Sequence, residues 1–167
     1  ELKIDNINNS KKELVELIIL KFDNNINFDN EIKYLEKISN KNDSYLFEQL
    51  NLVASKTYKG NEFLKDTFEK ESIIFLRNKI NKKGNRIINT FVLPYVDVKP
   101  SEANDLNDDE LIHISEIDKL IKNKKYEKSF RKLKLIKNFD SFYFETYKQL
   151  KIVIEFTNLL KKVEKID

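Results

Sequence analysis

Residues 111–136 read LIHISEIDKLIKNKKYEKSFRKLKLI, and this stretch predicts the fold class of the chain. Apolar residues recur there at helical spacing in two stripes, Leu111, Ile114, Ile117 and Ile121 in the first and Tyr126, Phe130, Leu133 and Ile136 in the second. The polar residues 122–125 between the stripes predict a short turn. The pattern therefore predicts an αα-hairpin like a single tetratricopeptide unit. Because such repeats need about three copies to be stable alone, we expect the hairpin to pack on neighbouring helices.

The composition of the whole chain extends this prediction. The 167 residues are 40% hydrophobic and 35% charged, with two glycines and two prolines. That scarcity of turn-forming residues argues against an all-β fold. We expect an all-α domain of about six to eight helices that includes the hairpin and a long C-terminal helix. We treat residues 1–167 as a single domain, with an N-terminal helical part at 1–90, a connecting part at 91–107 and the hairpin plus last helix at 108–167.

Local signals predict where the first helices begin and end. Ser10 and Glu13 have the spacing of a capping box, which predicts that the first helix starts at Ser10. Asp29 is a candidate cap for the second helix. Gly60 is a natural residue to end the third helix, and Asn61 a natural cap for the fourth.

The last helix is predicted to start near Ser141 and to carry apolar residues on two faces. A helix that is apolar on two faces is either buried on both or shared with a partner. The candidates for pairing with a second copy or another protein are Tyr147, Ile154, Phe156 and Leu160. For most of them, packing inside the same chain is the favoured alternative.

Both prolines lie in residues 91–100, FVLPYVDVKP, which cannot be helical throughout. We expect a short extended segment near residues 91–99. Phe91 and Tyr95, together with Val92 and Val96, could present an extended edge to a partner. The alternative is that this segment simply packs across the helices.

The residues that carry chemistry are scarce. There is no cysteine, and the single histidine, His113, has no nucleophile or set of metal ligands that the sequence can assign to it. The acidic residues 101–110 lack the glycine that a calcium loop requires. No glycine-rich phosphate loop is present. We therefore expect no enzyme activity, and we predict no catalytic, cofactor-binding or metal-binding residue.

Basic residues are concentrated in two places. The candidates for binding anionic lipid are Arg77, Lys79, Lys82, Lys83 and Arg86. Residues 119–137 hold nine more basic residues against the single acid Glu127. Nucleic-acid phosphates are an alternative ligand, but the net charge of only +3 and the lack of a recognised motif argue against it. A solvated lysine-rich face with no ligand is the remaining alternative.

The order of these segments resembles the C-terminal domain of the mitofilin family, especially its alphaproteobacterial members. Residues 17–70 resemble the first helices of that domain, with Phe28 and Gly60 at matching places, and FVLPYVDVKP resembles its extended segment. Residues 111–136 and 141–166 resemble its closing hairpin and long last helix. The chain departs from the family at Asn123, where a glycine is usual, and at Asp97, near the usual arginines.

The resemblance implies a non-enzymatic scaffold that shapes or bridges membranes. Its members are anchored in a membrane upstream of this domain, self-associate, contact lipid and bind partner proteins. We accordingly expect anionic membrane lipids, membrane or envelope proteins and a second copy of the chain as partners. The expected location is the bacterial inner membrane with this domain in the periplasm, or the mitochondrial inner membrane facing the intermembrane space at crista junctions.

Two other classes of function remain open. The hairpin also suits a soluble tetratricopeptide-like adaptor that grips a peptide in a helical groove. A nucleic-acid binder ranks third. The chain has no methionine, which indicates an excised domain or a processed product, with any anchor lying upstream of Glu1.

Overall fold

The computed structural model describes residues 2–39, 44–82 and 109–165, with side chains described for 10–39, 44–78, 109 and 112–165. These residues form helices and connecting turns, and they contain no strand. The helices are α1 (Leu2–Asp23), α2 (Asp29–Ile38), α3 (Ser44–Ala54), α4 (Gly60–Lys82), α5 (Asp109–Lys122), α6 (Tyr126–Leu133), α7 (Phe139–Phe142) and α8 (Phe144–Glu164). The prediction of an all-α chain with a hairpin and a long last helix is confirmed. The predicted extended segment near 91–99 lies outside the described residues.

The chain divides into two compact units. Unit 1 consists of the residues up to Asn61 together with those from Ile152 onward, and unit 2 runs from Glu62 to Lys151. The treatment of residues 1–167 as a single domain stays a prediction. None of the helices in the described ranges has the length and apolar character needed to span a membrane.

Unit 1 is built around stacked aromatic rings. The ring of Phe22 lies 3.9 Å from that of Phe156 and 4.5 Å from that of Tyr58, measured between centroids. Phe28 approaches Phe22 edge-on at 5.8 Å. The buried aliphatic residues around them include Val15, Ile18, Ile32, Leu35, Leu50 and Val53. Helices α1 and α2 are further joined by an ion pair between Lys21 and Glu31, with nitrogen and oxygen 2.6 Å apart.

Unit 2 buries the two stripes that the sequence predicts. The members of the first stripe that have described side chains are almost completely inaccessible: Ile114, Ile117 and Ile121. Tyr126, Leu133 and Ile136 are buried in the second stripe. Helix α6 ends at Leu133, so Ile136 is buried from the turn that follows. Four residues with small hydroxyl side chains are also fully buried in unit 2: Ser72, Ser115, Ser129 and Thr146.

The helix boundaries correct the predictions for the starts of the first two helices. Helix α1 begins at Leu2, so Ser10 lies inside it and is not its first cap. A capping-box pattern does not stop a helix upstream, and residues 2–9 contain no proline or glycine. Asp29 is the first residue of α2, and the capping contact comes from Asn27, whose side-chain oxygen accepts the Asp29 N–H at 3.1 Å.

The prediction that Gly60 ends the third helix is also wrong. Helix α3 ends at Ala54, and Gly60 instead begins α4, so Asn61 is helical rather than a cap. Gly60 has a φ of +89°, and a Cβ atom there would lie 3.0 Å from the carbonyl oxygen of Asp23. The glycine is therefore required by a left-handed backbone and by close contact with the end of α1.

The start of the last helix also differs slightly from the prediction. The predicted start near Ser141 falls in the single turn α7, and α8 begins at Phe144. Tyr143 separates the two with a φ of −117°, outside the helical range.

Candidate interaction surface

The turn between α5 and α6 is closed by hydrogen bonds from its own polar residues. Lys124 has a φ of +55°, the left-handed conformation that ends a helix. The Lys125 N–H donates to the Leu120 carbonyl at 2.8 Å, and the Asn123 side chain donates to the Lys119 carbonyl at 2.8 Å. Asparagine and lysine thus form a turn for which the mitofilin resemblance implies a glycine.

One ion pair joins the two helices of the hairpin, and another lies within α5. Lys132 of α6 donates a hydrogen bond to the Glu116 carboxylate of α5, which joins the two helices. His113 Nδ1 lies 3.6 Å from the same carboxylate. Hydrogen bonding from Lys132 is the main cause that lowers the pKa of Glu116, and His113 adds to the effect. Lys122 pairs with Asp118 on α5 at 2.6 Å.

The remaining basic residues of the hairpin lie on its exposed side. Four of them follow one another at intervals of three residues, and we call this set the basic row: Lys125, Lys128, Arg131 and Lys134. Side chains three residues apart on a helix are neighbours on its surface. Arg131 makes a long contact of 3.7 Å with Glu127, the single acid of α6. Lys125, Lys128 and Lys134 form no ion pair with any described residue, so most of the charge in the row is not neutralised.

An exposed leucine stands at the end of the basic row. The Leu135 N–H donates to the Lys132 carbonyl at 3.0 Å, which continues the last turn of α6 for two residues. The Leu135 side chain is 61% exposed, although its neighbours Leu133 and Ile136 are buried. Beside it, the Lys134 ammonium lies 4.3 Å from the centroid of the Phe130 ring. The surface therefore combines cationic groups with one apolar side chain.

Few of the lipid-binding candidates chosen from the sequence can be compared with this surface. Arg77 is exposed on α4. Lys79 and Lys82 belong to α4, but their side chains lie outside the described set, as do the whole of Lys83 and Arg86. Phe91 and Tyr95, the candidates for a partner edge, also lie outside the described residues. Their proposed roles stay predictions.

The pairing candidates on the last helix make contacts within the chain. Phe156 and Leu160 have no exposed surface, and Phe156 stacks on Phe22 in unit 1. Tyr147 is half-buried and stacks on Phe130 at 5.1 Å in unit 2. Ile154 is also half-buried. Packing inside the same chain was the favoured alternative for most of these residues, and their partner role stays a prediction.

Leu135 was not among the residues singled out from the sequence. The basic run at 119–137 was evident there, but none of its residues was a named lipid candidate. A signal was present in the sequence, because a stripe that buries Leu133 and Ile136 leaves the two positions between them exposed. Leu135 is the apolar residue that falls outside that stripe.

The sequence analysis also missed the contact that caps α8. The Glu71 carboxylate of α4 accepts the backbone N–H groups of Glu145 at 3.0 Å and of Thr146 at 3.2 Å. These are donors in the first turn of α8 that have no partner within the helix. The contact joins residues 74 positions apart, so no local pattern could have indicated it.

Within the described ranges, no group of three or more His, Asp or Glu side chains could hold a metal ion. No protein-family profile, curated protein or solved structure matches the chain. The basic row and Leu135 form an exposed surface that combines charge with an apolar side chain.

Proposed function

We propose that this chain is the non-enzymatic part of a membrane-organising scaffold, held at a membrane by an anchor in the parent protein. One observation carries the proposal, namely the exposed cationic side of the α5–α6 hairpin. Of the nine basic residues at 119–137, Lys122, Arg131 and Lys132 contact acids, while Lys119, Lys125 and Lys128 pair with no described residue. An anionic membrane surface is a chemically suitable partner for such a face.

The strength of this contact favours a scaffold that acts in several copies. Each lysine or arginine near an anionic membrane surface contributes about 1 kcal/mol, so four of them contribute roughly 4 kcal/mol. That corresponds to a dissociation constant of about 1 mM, which is too weak for one copy to hold a membrane. Self-association would join several such faces and raise the overall affinity without any new contact.

The resemblance to the mitofilin C-terminal domain supports the same function. It implies a parent protein anchored in the bacterial or mitochondrial inner membrane, with this domain in the periplasm or the intermembrane space. It also implies envelope or membrane proteins as partners, and a homo-oligomer. These remain parts of the proposal.

Fractionation of cells that produce the native protein tests the proposal. Membranes are pelleted and washed with alkaline carbonate, and the chain is followed with an antibody. An integral membrane protein and a soluble protein of the same cells serve as the two reference markers. We expect the protein to stay in the washed pellet with the integral marker. Release with the soluble marker would overturn the scaffold and favour the tetratricopeptide-like adaptor, for which the α5–α6 hairpin is the supporting feature.

A further inference from the structure

We infer that the basic row of α6, together with Leu135, is the site at which this chain binds anionic phospholipid. The inference rests on the proposed function, and it moves the lipid contact from the region of Arg77 and Lys82 to the hairpin. It also assigns different roles to the residues. The row binds headgroup phosphates, while Leu135 enters the boundary between headgroups and acyl chains.

The geometry of the row suits a flat anionic surface. Its four members are all exposed along one short helix and its two cap residues, on positions that the buried residues of α6 leave open to solvent. The opposite side of α6 is fixed in unit 2 by Tyr126, Ser129 and Leu133, which are buried. A short helix held in this way presents its charges without having to fold on the membrane.

Leu135 distinguishes lipid from nucleic acid as the ligand. An exposed aliphatic side chain gains free energy by leaving water for the acyl boundary of a bilayer, but it finds no equivalent partner on a phosphate backbone. Binding to single-stranded nucleic acid would instead favour exposed aromatic rings on which bases could stack. The Phe130 ring beside Lys134 is half-buried, stacked on Tyr147 and covered by the Lys134 ammonium. The surface therefore fits an anionic bilayer better than a nucleic acid.

Vesicle co-sedimentation of the purified chain tests the role of the row. The vesicles are phosphatidylcholine alone, or phosphatidylcholine with roughly one third phosphatidylglycerol, which supplies the anionic surface. The variant K128E/R131E reverses two charges in the row. The control K148E/K151E makes the same charge change on exposed lysines of α8 that have the same spacing. Circular dichroism of each variant checks that the helices are retained.

We expect the wild-type chain to bind the anionic vesicles in preference to the neutral ones, and to bind less as salt is added. K128E/R131E should weaken this binding by about tenfold or more, while K148E/K151E should change it by about twofold or less. Equal losses in the two variants would mean that total charge alone is responsible, and would overturn the site. Absence of binding to anionic vesicles would overturn it as well.

A second pair of variants tests the insertion of Leu135. L135Q keeps the charge and removes the apolar side chain, and F144Q does the same at a residue that is 66% exposed on α8. We expect L135Q to weaken binding about threefold to fivefold at every salt concentration, and F144Q to leave it unchanged. Equal behaviour of L135Q and the wild type would overturn the insertion.

Competition with duplex DNA tests nucleic acid, the alternative ligand to anionic lipid. If DNA displaced the chain from anionic vesicles and bound more tightly than they did, the lipid assignment would be overturned in favour of nucleic acid.

The lipid site and the proposed scaffold can be refuted separately. Vesicle binding through the row, combined with release of the native protein from washed membranes, would refute the scaffold and leave the lipid site standing. Retention in the washed pellet, with no loss of vesicle binding in K128E/R131E, would do the reverse.

Discussion

Unit 1 and unit 2 reach stability in different ways. In unit 1 a single residue, Phe22, contacts three other aromatic rings, those of Phe28, Tyr58 and Phe156. In unit 2 the ring contacts are spread over two groups, Phe68, Phe75, Phe142 and Tyr143 in one and Phe130, Phe139 and Tyr147 in the other. Unit 2 also contains a partly buried carboxylate that caps a helix. Because its ring contacts are concentrated on one residue, we expect the stability of unit 1 to depend strongly on single side chains. In unit 2 the ring contacts are shared among more residues, so the loss of one side chain should cost less.

The largest expected effect comes from opening the ring cluster of unit 1. F156A removes a side chain with no exposed surface and leaves a cavity beside Phe22, so we expect it to lower the free energy of unfolding by about 3–5 kcal/mol. In unit 2, F130A removes a half-buried ring and should cost less. Urea denaturation followed by circular dichroism measures both.

The control for both ring variants is F144A, which truncates an exposed ring and should change stability by about 0.5 kcal/mol or less. If F156A cost no more than F130A, the contrast between concentrated and distributed packing would be wrong.

The next largest effect concerns the polar contact of unit 2. E71A removes the acceptor of two backbone N–H groups at the start of α8, and we expect a loss of about 1–3 kcal/mol. E71Q keeps an acceptor oxygen and should cost less than E71A. An equal loss in the two variants would show that a single amide oxygen cannot replace the two carboxylate oxygens of Glu71.

The pH dependence of the same contact has a definite sign. Burial raises the pKa of Glu71 above its ordinary value of 4.5. The folded chain therefore binds the proton more tightly than the unfolded chain does, so the contribution of this proton is fully present below pH 4.5 and is lost as the pH rises through the folded pKa. The wild type should gain stability relative to E71Q as the pH is lowered through that window. Urea denaturation of both proteins at a series of pH values measures the difference.

The contrast between the units also explains which parts of the fold could be predicted. The stripe Ile114, Ile117 and Ile121 was visible because helical spacing is a local property, and the hairpin followed from it. The start of α1 could not be predicted in the same way, because the capping-box pattern at Ser10 carries no information about whether the residues before it are helical. The Glu71 contact depends on helices far apart in sequence, and no local pattern encodes it.

Only part of the candidate surface could be predicted from the sequence. The density of basic residues could be counted, but the neutralisation of Lys132 depends on Glu116 of the neighbouring helix. The exposure of Leu135 follows from knowing which stripe is buried. Composition alone therefore indicated charge, whereas the arrangement of charge around one apolar side chain required the packing of α5 and α6.

The smallest expected effect compares one ion pair from each unit. Lys21 donates to Glu31 in unit 1 and lowers the pKa of that carboxyl group, as Lys132 does for Glu116 in unit 2. Both carboxyl groups are close to solvent, so we expect K21A and K132A each to change stability by less than about 1 kcal/mol. The contribution of each pair is present above pH 4.5 and is lost as the pH falls through the lowered pKa.

The two pairs should nevertheless respond differently in an NMR titration of the carboxyl carbons. In K21A the pKa of Glu31 loses its main lowering cause and should return close to 4.5. In K132A the pKa of Glu116 should also rise, but His113 still faces the same carboxylate at 3.6 Å and keeps lowering the pKa. The double variant H113A/K132A should therefore raise the pKa of Glu116 above that in K132A. Equal pKa values of Glu116 in K132A and H113A/K132A would mean that His113 does not act on this carboxylate, and that the two units hold their surface pairs in the same way.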